Sequence, residues 1–207
     1  MSDHILVLYY SRNGATKAMA NRIAQGIESK GMQAKLRTVP DISDGIEFKQ
    51  PSVPEDGDLF VQQADLKACA GLALGSPTRF GNMAAPLKYF WDTTATQWLN
   101  GCLINKPAGV FTASSSLHGG QESTLLSMYL PLLHHGMVIA GIPYSEPCIH
   151  TTHSGGGPYG ASHHSHNTNS TNASVQLTPE EQAACFALGK RIAMLASKLA
   201  APLPHID

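Results

Sequence analysis

Near its start the chain carries an uninterrupted apolar run, Ile5 to Tyr10, which ends directly in the polar sequence Ser-Arg-Asn-Gly-Ala-Thr. Such a run is typical of a strand that is covered on both faces in a parallel sheet. Beyond it apolar residues recur at every fourth position from Ala15 to Ile27, which predicts an amphipathic helix that Thr16 caps and Gly31 ends. The chain therefore opens with the β-loop-α unit of folds that bind nucleotides.

Predicted strands and helices continue to alternate along the chain. Apolar or alternating runs predict four further strands, at Gln33–Val39, Gly71–Gly75, Pro107–Thr112 and Met137–Ile142. Helical patterns are predicted at Pro86–Thr93, at Glu122–His134, and from the capping box that begins at Thr178 to Leu199. Five strands that alternate with helices predict an α/β fold with a doubly wound parallel sheet.

The length of 207 residues predicts a single domain over residues 1–207, because domains usually hold about 100 to 200 residues. Two segments lack a sustained period. Residues 41–58 are predicted to form a surface loop or insertion, and residues 145–175, rich in Ser, Thr, Asn, Gly and His, a polar surface excursion.

Charge and cysteine content narrow the class of protein. Fourteen Lys and Arg against fifteen Asp and Glu give a net charge of −1 without basic clusters, which argues against nucleic-acid binding. No apolar stretch approaches the ~18 residues of a membrane span, and the start of the chain lacks the pattern of a secretory signal. The four cysteines form no C-x-x-C pair. We therefore expect reduced thiols in a cytoplasmic protein.

Three polar loops follow predicted strands. The loop from Ser11 to Thr16 combines hydroxyls, a glycine and a helix N-terminus, which suits a phosphate. The loops Ser76–Asn82 and Ser114–Gly120 lie beyond the carboxyl ends of two other strands, where open α/β sheets bind ligands. Phe80 can stack on a flat ring and Arg79 can stabilise negative charge on it. An ordinary polar turn explains one such loop, but three together favour a ligand site.

Other motifs have simpler interpretations. The glycine-rich sequence at 155–160 matches G-x-G-x-x-G, but it follows no apolar strand and contains Pro158, so we reject a dinucleotide fingerprint. A hydrolase triad of Ser114, His134 and Glu122 lacks a nucleophile elbow. The histidines of the excursion show no metal-ligand spacing and are interpreted as solvated: His150, His153, His163, His164 and His166. Of His134 and His135, one imidazole is expected at the ligand edge and the other as a helix C-terminal cap.

Taken together, these residues resemble the WrbA family of flavodoxin-like NAD(P)H:quinone oxidoreductases, which bind FMN. The resemblance extends from residue 5 to about residue 197. It is carried by Leu6–Ser11, by Gly75-Ser-Pro-Thr-Arg-Phe-Gly-Asn-Met83, by Gly119–Glu122, by His134-His-Gly-Met137 and by Gly157-Pro-Tyr-Gly-Ala161. It implies a flavodoxin-like fold with surface insertions.

The resemblance also implies the site. His134 is expected to border the flavin ring as the catalytic residue, while Asn13 and Trp98 contact the substrates. The cofactor-binding residues that it implies are Ser11, Arg12, Asn13, Gly14, Ala15, Thr16, Pro77, Thr78, Arg79, Phe80, Gly81, Asn82, Ser114, Ser115, Ser116, Leu117, His118, Gly119, Gly120 and His134. Asn13 stands where some members carry an aromatic residue, and Leu117-His118 where others carry small residues.

The implied activity is two-electron, ping-pong reduction of quinones to hydroquinones with NADH or NADPH, which fits an antioxidant role. The implied assembly is a homotetramer in which Phe80, Trp91 and Trp98 are candidates to close the flavin pocket at subunit interfaces. Two other classes stay open. One is a one-electron carrier of the flavodoxin type, although such carriers tend to be strongly acidic. The other is a non-catalytic regulatory protein.

Overall fold

The computed structural model of the chain describes residues 4–42, 53–165 and 175–200. Within them, six strands form one parallel sheet: β1 (His4–Tyr9), β2 (Gln33–Thr38), β3 (Gly71–Pro77), β4 (Pro107–Ser114), β5 (Val138–Ile139) and β6 (Ala161–His164). The order is β2-β1-β3-β4-β5, and β6 pairs with the second half of β4. The predicted doubly wound α/β class is confirmed, with one strand more than the five expected.

Helices cover both faces of this sheet. They are α1 (Ala15–Glu28), α2 (Gln63–Ala68), α3 (Ala85–Asp92), α4 (Ala95–Leu99), α5 (Gln121–His134), α6 (Cys148–Thr151) and α7 (Pro179–Leu199). Helices α1 and α7 pack on one face, and α2, α3 and α5 pack on the other. Within the described ranges, none of these helices has the length and apolar character needed to cross a bilayer.

The apolar run of β1 explains why both faces are covered. Successive side chains of a strand point to opposite faces. Ile5 and Val7 accordingly pack in the core under α1 and α7, while Leu6 and Leu8 pack in the core under the other helices. All four are fully buried. The sheet order changes direction between β1 and β3, which opens a crevice at their carboxyl ends.

The sixth strand corrects the interpretation of residues 145–175 as a polar surface excursion. Residues 161–163 are buried beside β4, and His163 is not a solvated loop histidine, because its Nδ1 lies 2.7 Å from Oε2 of Glu181. The fully buried Glu181 carboxylate also accepts backbone N–H bonds from Gly155, His164 and Thr178. These donors let a polar segment enter the sheet. His166 lies outside the described residues.

Other differences are local. The predicted strand Met137–Ile142 is reduced to β5, because the N–H of Ile142 is bonded to the carbonyl of Pro158 and not to β4. Helices α2, α4 and α6 were not predicted, since each is short. Of the predicted loop at 41–58, residues 43–52 lie outside the described part of the chain, as do residues 166–174. All four cysteines are free, as expected.

Candidate functional site

The first loop, Ser11 to Gly14, connects β1 to α1. Its helix begins after Gly14, which adopts the left-handed conformation (φ 85°) as N-cap, so the prediction that Thr16 caps the helix is wrong. Thr16 is instead buried within the first turn. The Ser11 Oγ atom is buried and has no hydrogen-bond partner among the described residues. Because the first N–H groups of a helix also lack intrahelical partners, this end of α1 offers unused donors to an anion.

The second loop follows β3 and presents an aromatic ring outward. Arg79 and Asn82 exchange two backbone hydrogen bonds of 2.8 and 3.0 Å, and between them Phe80 (φ 52°) and Gly81 (φ 74°) are both left-handed. This conformation is costly for a phenylalanine, and such outliers concentrate at functional sites. The Phe80 side chain is fully exposed, so it is available to a flat ligand or to a second copy of the chain.

The third loop, Ser114 to Gly120, is held by the start of α5. Gln121, which is 3 % exposed, donates from Nε2 to Ser114 Oγ at 2.8 Å. Ser114 in turn donates to the carbonyl of Ser116 at 2.7 Å. Gly120 is the left-handed N-cap of α5 (φ 90°). The loop between them is exposed from Ser115 to Gly119.

The three loops meet at the carboxyl edge of the sheet. A Cβ on Gly120 would lie 3.2 Å from Gly81 Cα, and the hydroxyls of Thr78 and Thr124 are 2.6 Å apart, so the second and third loops are in contact. The N–H of Tyr10 binds the carbonyl of Gly75, which joins the first loop to the strand that leads into the second. The sequence-predicted loops are therefore brought together.

Two tyrosines at the end of β1 also belong to this edge. The Tyr10 hydroxyl donates to Asp41 at 2.6 Å, and burial together with that carboxylate raises the pKa of Tyr10 to about 12, while Arg12 and Arg79 oppose the shift. The Tyr9 hydroxyl donates to Asp58 at 2.6 Å. Sequence reasoning gave no role to these residues or to Gln121 and Thr124. The position of Tyr10 directly before the first loop was the available signal.

His134 and Trp98 lie at the opposite edge of the sheet. Helix α5 starts at the third loop and ends at His134, and its 14 residues span about 20 Å. Trp98 lies beside His134, with its Nε1 donating to the His134 carbonyl at 2.9 Å. Both side chains are exposed. Within one chain they are therefore not brought together with the three loops, and the triad of Ser114, His134 and Glu122 is excluded by the length of α5.

The three aromatic residues that were candidates to close the flavin pocket differ in burial. Trp91 is only 5 % exposed and packs edge-on against the His135 ring at 5.2 Å, so it is a core residue and not part of a lid. Phe80 and Trp98 remain exposed. In the described part of the chain, no three His, Cys, Asp or Glu side chains are arranged to hold a metal ion.

The carboxyl edge fits a flavin mononucleotide. A phosphate placed at Ser11 to Thr16 would give the buried Ser11 hydroxyl a partner and would meet the positive end of α1. Glycines at 81 and 120 let the second and third loops approach each other closely. The donor set is therefore suited to a phosphate monoester that is attached to a planar group.

Comparison with known proteins gives the following matches. Residues 4–145 match the family described as NADPH-dependent FMN reductase. An NAD(P)H dehydrogenase (quinone) from Gluconacetobacter diazotrophicus is 36 % identical over 200 residues, covering 95 % of this chain and 98 % of that protein. A second one, from Geotalea daltonii, is 39 % identical and covers 94 % and 97 %.

Solved structures agree on the fold. A flavodoxin, WrbA-like protein from Agrobacterium tumefaciens matches with a TM-score of 0.64 at 22 % identity, covering 95 % of this chain and 99 % of that one. A flavodoxin from the domain Archaea matches with a TM-score of 0.61 at 21 % identity, covering 94 % and 99 %.

Proposed function

The chain belongs to the NADPH-dependent FMN reductase family, and on this premise we propose that it is an FMN-dependent NAD(P)H dehydrogenase that reduces quinones to hydroquinones. Two of its relatives, alike over nearly their whole length, carry the name NAD(P)H dehydrogenase (quinone). They agree with the resemblance to the WrbA family that the sequence motifs indicate.

The chemistry divides between cofactor and protein. When bound, FMN supplies a group that accepts hydride from NADH or NADPH and delivers two electrons to a quinone in a ping-pong sequence. The chain itself would hold the phosphate at Ser11 to Thr16, and the loops Thr78 to Phe80 and Ser114 to Gly120 would flank the ring. The guanidinium of Arg79 would supply a positive charge to stabilise a reduced ring.

The observation that carries this proposal is the buried, unpartnered hydroxyl of Ser11 at the N-terminus of α1. Buried polar groups in proteins nearly always have partners, and a phosphate monoester at this point would supply one. The net charge of −1 supports an enzyme over an acidic one-electron carrier.

Steady-state oxidation of NADH and NADPH with benzoquinone, on FMN-loaded protein, tests the activity. We expect turnover that depends on both the nicotinamide and the quinone. A fluorescence titration of the apoprotein with FMN and with FAD tests the cofactor, and tighter binding of FMN is expected. Negligible nicotinamide oxidation, or tighter binding of FAD, would contradict the proposal.

We also propose that the protein is a homotetramer whose flavin sites are completed by a neighbouring copy. His134 and Trp98 lie about one helix length from the three loops of their own chain, so they can reach only the site of another chain. The outer face of α5 is apolar, with Leu126, Leu130 and Leu133 exposed at helical spacing. Such a face suits contact with a second copy.

Replacement Trp98→Ala separates the two parts of the site. We expect the quinone KM to rise about twofold to twelvefold, because an aromatic contact contributes about 0.5–1.5 kcal/mol beyond its buried area. FMN affinity is expected to stay within about twofold, since the phosphate loop lies at the other edge of the sheet. Light scattering at micromolar concentration measures the assembly. A fully active monomer would overturn the assignment of Trp98 to a shared site.

A further inference from the structure

Trp98 is carried by a helix that has no apolar anchor of its own. Helix α4 has five residues, and each of them is at least partly exposed. A short helix of this kind is not stable by itself. The orientation of Trp98 therefore depends on what holds α4 against the rest of the chain.

Two adjacent residues at the end of α5 hold it. The carbonyl of His134 accepts the Trp98 indole N–H at 2.9 Å, and the His135 ring contacts Thr94, the N-cap residue of α4, with 3.0 Å between Nε2 and Oγ1. His135 is 7 % exposed and Thr94 is 1 % exposed. One contact is therefore at the start of α4 and one at its tryptophan.

The hydrogen bonds around Thr94 determine the tautomer of His135. The Thr94 hydroxyl donates its single hydrogen to the carbonyl of Trp91 at 2.7 Å. It must then accept from His135, which places the imidazole hydrogen on Nε2. His135 Nδ1 is buried without a partner among the described residues, and the opposite tautomer would leave an N–H donor there. Burial, together with the neighbouring His134, lowers the pKa of His135, which favours the neutral ring.

We propose that His135 is a positioning residue for Trp98. Its neutral, Nε2-protonated ring fixes Thr94 and thereby α4, so that the Trp98 indole stays bonded to the His134 carbonyl and presents one face outward. The imidazole ring is itself held edge-on by Trp91, with a ring separation of 5.2 Å. The expected effect on turnover rests on the proposed function, in which Trp98 contacts the quinone. The positioning of α4 by His135 does not depend on that function.

Two substitutions separate the hydrogen bond from the space that the ring fills. His135→Gln keeps an N–H donor near the position of Nε2, whereas His135→Leu removes it. Tyr129→Phe is the matched control, because it removes a partly buried hydrogen bond of 2.6 Å from the same helix, to the carbonyl of Tyr159, without touching α4. All proteins are compared as FMN-loaded protein.

The first readout is solvent exchange of the Trp98 indole N–H by NMR, assigned by the signal that disappears in Trp98→Phe. His135→Leu removes one hydrogen bond that holds α4, so we expect exchange about fivefold faster than in the parent. His135→Gln and Tyr129→Phe should stay close to the parent.

The second readout is kinetic. We expect His135→Leu to raise the benzoquinone KM about fivefold with kcat and FMN affinity within about twofold, and His135→Gln to restore KM. Unchanged indole exchange in His135→Leu, or equal damage in His135→Gln, would overturn the proposal. Faster exchange with an unchanged KM would overturn the role in substrate binding. A parent protein without quinone activity would refute the proposed function, and the exchange data would still decide whether His135 holds α4.

Discussion

The substitution Ser11→Ala is expected to weaken FMN binding without lowering the stability of the apoprotein. The Ser11 Oγ is buried and lacks a partner among the described residues, at a helix end whose N-cap, Gly14, makes no side-chain cap bond there. Most substitutions lower the stability of a protein. Here FMN affinity and apoprotein stability should move in opposite directions, because the hydroxyl is useful only when an anion is bound.

The expected changes in FMN affinity and in apoprotein stability both follow from the hydrogen bonding of Ser11 Oγ. A hydrogen bond to a charged group contributes about 1.5–3 kcal/mol, so its loss should raise the FMN Kd about 10- to 150-fold. Removing a buried hydroxyl that has no partner should raise the free energy of unfolding of the apoprotein by about 1 kcal/mol. For a chain of this length that corresponds to an increase in Tm of about 2–4 °C.

Flavin fluorescence titration measures the Kd, and urea unfolding of the apoprotein measures stability. Ser197→Ala serves as the control, because that hydroxyl lies on α7 and donates to the carbonyl of Ala193. We expect it to leave the Kd unchanged. An FMN Kd for Ser11→Ala within about threefold of the parent would refute the placement of the phosphate. Loss of apoprotein stability would refute the reasoning about the unpartnered hydroxyl.

Three further changes test other parts of the structure. Gly189→Ala would place a Cβ 2.1 Å from the Ile23 carbonyl oxygen, so α1 and α7 must separate, and urea unfolding should show a loss of about 1–3 kcal/mol despite the better helix propensity of alanine. The hydrogen bonds to the Glu181 carboxylate lower its pKa from 4.5 to about 2 although burial opposes the shift. The stability that it contributes is present above pH 4.5 and is lost as the pH falls through 2, so unfolding experiments at pH 6 and pH 3 should differ by about 2 kcal/mol. Gln121→Leu leaves Ser114 Oγ without its donor and should weaken FMN binding about fivefold in a titration.

Each of these has a matched comparison. Gly157→Ala adds the same methyl group where no atom lies within 4 Å, so stability should be nearly unchanged, and an equal loss would contradict the packing argument. Glu181→Gln should flatten the pH dependence between 2 and 4.5. An unchanged slope would assign the acid lability to other carboxylates. Gln121→Glu keeps the length of the side chain but removes the N–H donor, so affinity as high as in the parent would exclude the bond to Ser114.

Local sequence determined the parts of the fold that depend on neighbours along the chain. The apolar run of β1, the period of α1 and the capping box at Thr178 each describe an element whose side chains must be buried on known faces, and all three are present. The three ligand loops were predicted for the same reason. In a parallel sheet, a loop that follows a strand lies at the carboxyl edge whichever strands become neighbours.

Long-range partners decided the rest. The polar segment Ala161–His164 became a strand because Glu181, distant in sequence, satisfies His163. The sequence Thr-Thr-Ala-Thr-Gln-Trp showed no period, and α4 is fixed by contacts with the end of α5. Tertiary structure also decided that Trp91 is a core residue and that Trp98 is exposed, although both come after the loop Ser76–Asn82 in the sequence.

The division is clearest for His134. Its motif resembled a family in which this position borders the flavin, and the sequence determined that it ends a helix that begins at the third loop. The folded chain shows that this helix, which contains Pro131, places His134 beside Trp98 at the far edge of the sheet. The periodicity of a sequence specifies which side of a helix is buried. The distance between two sites depends on how the helices and strands are arranged in space.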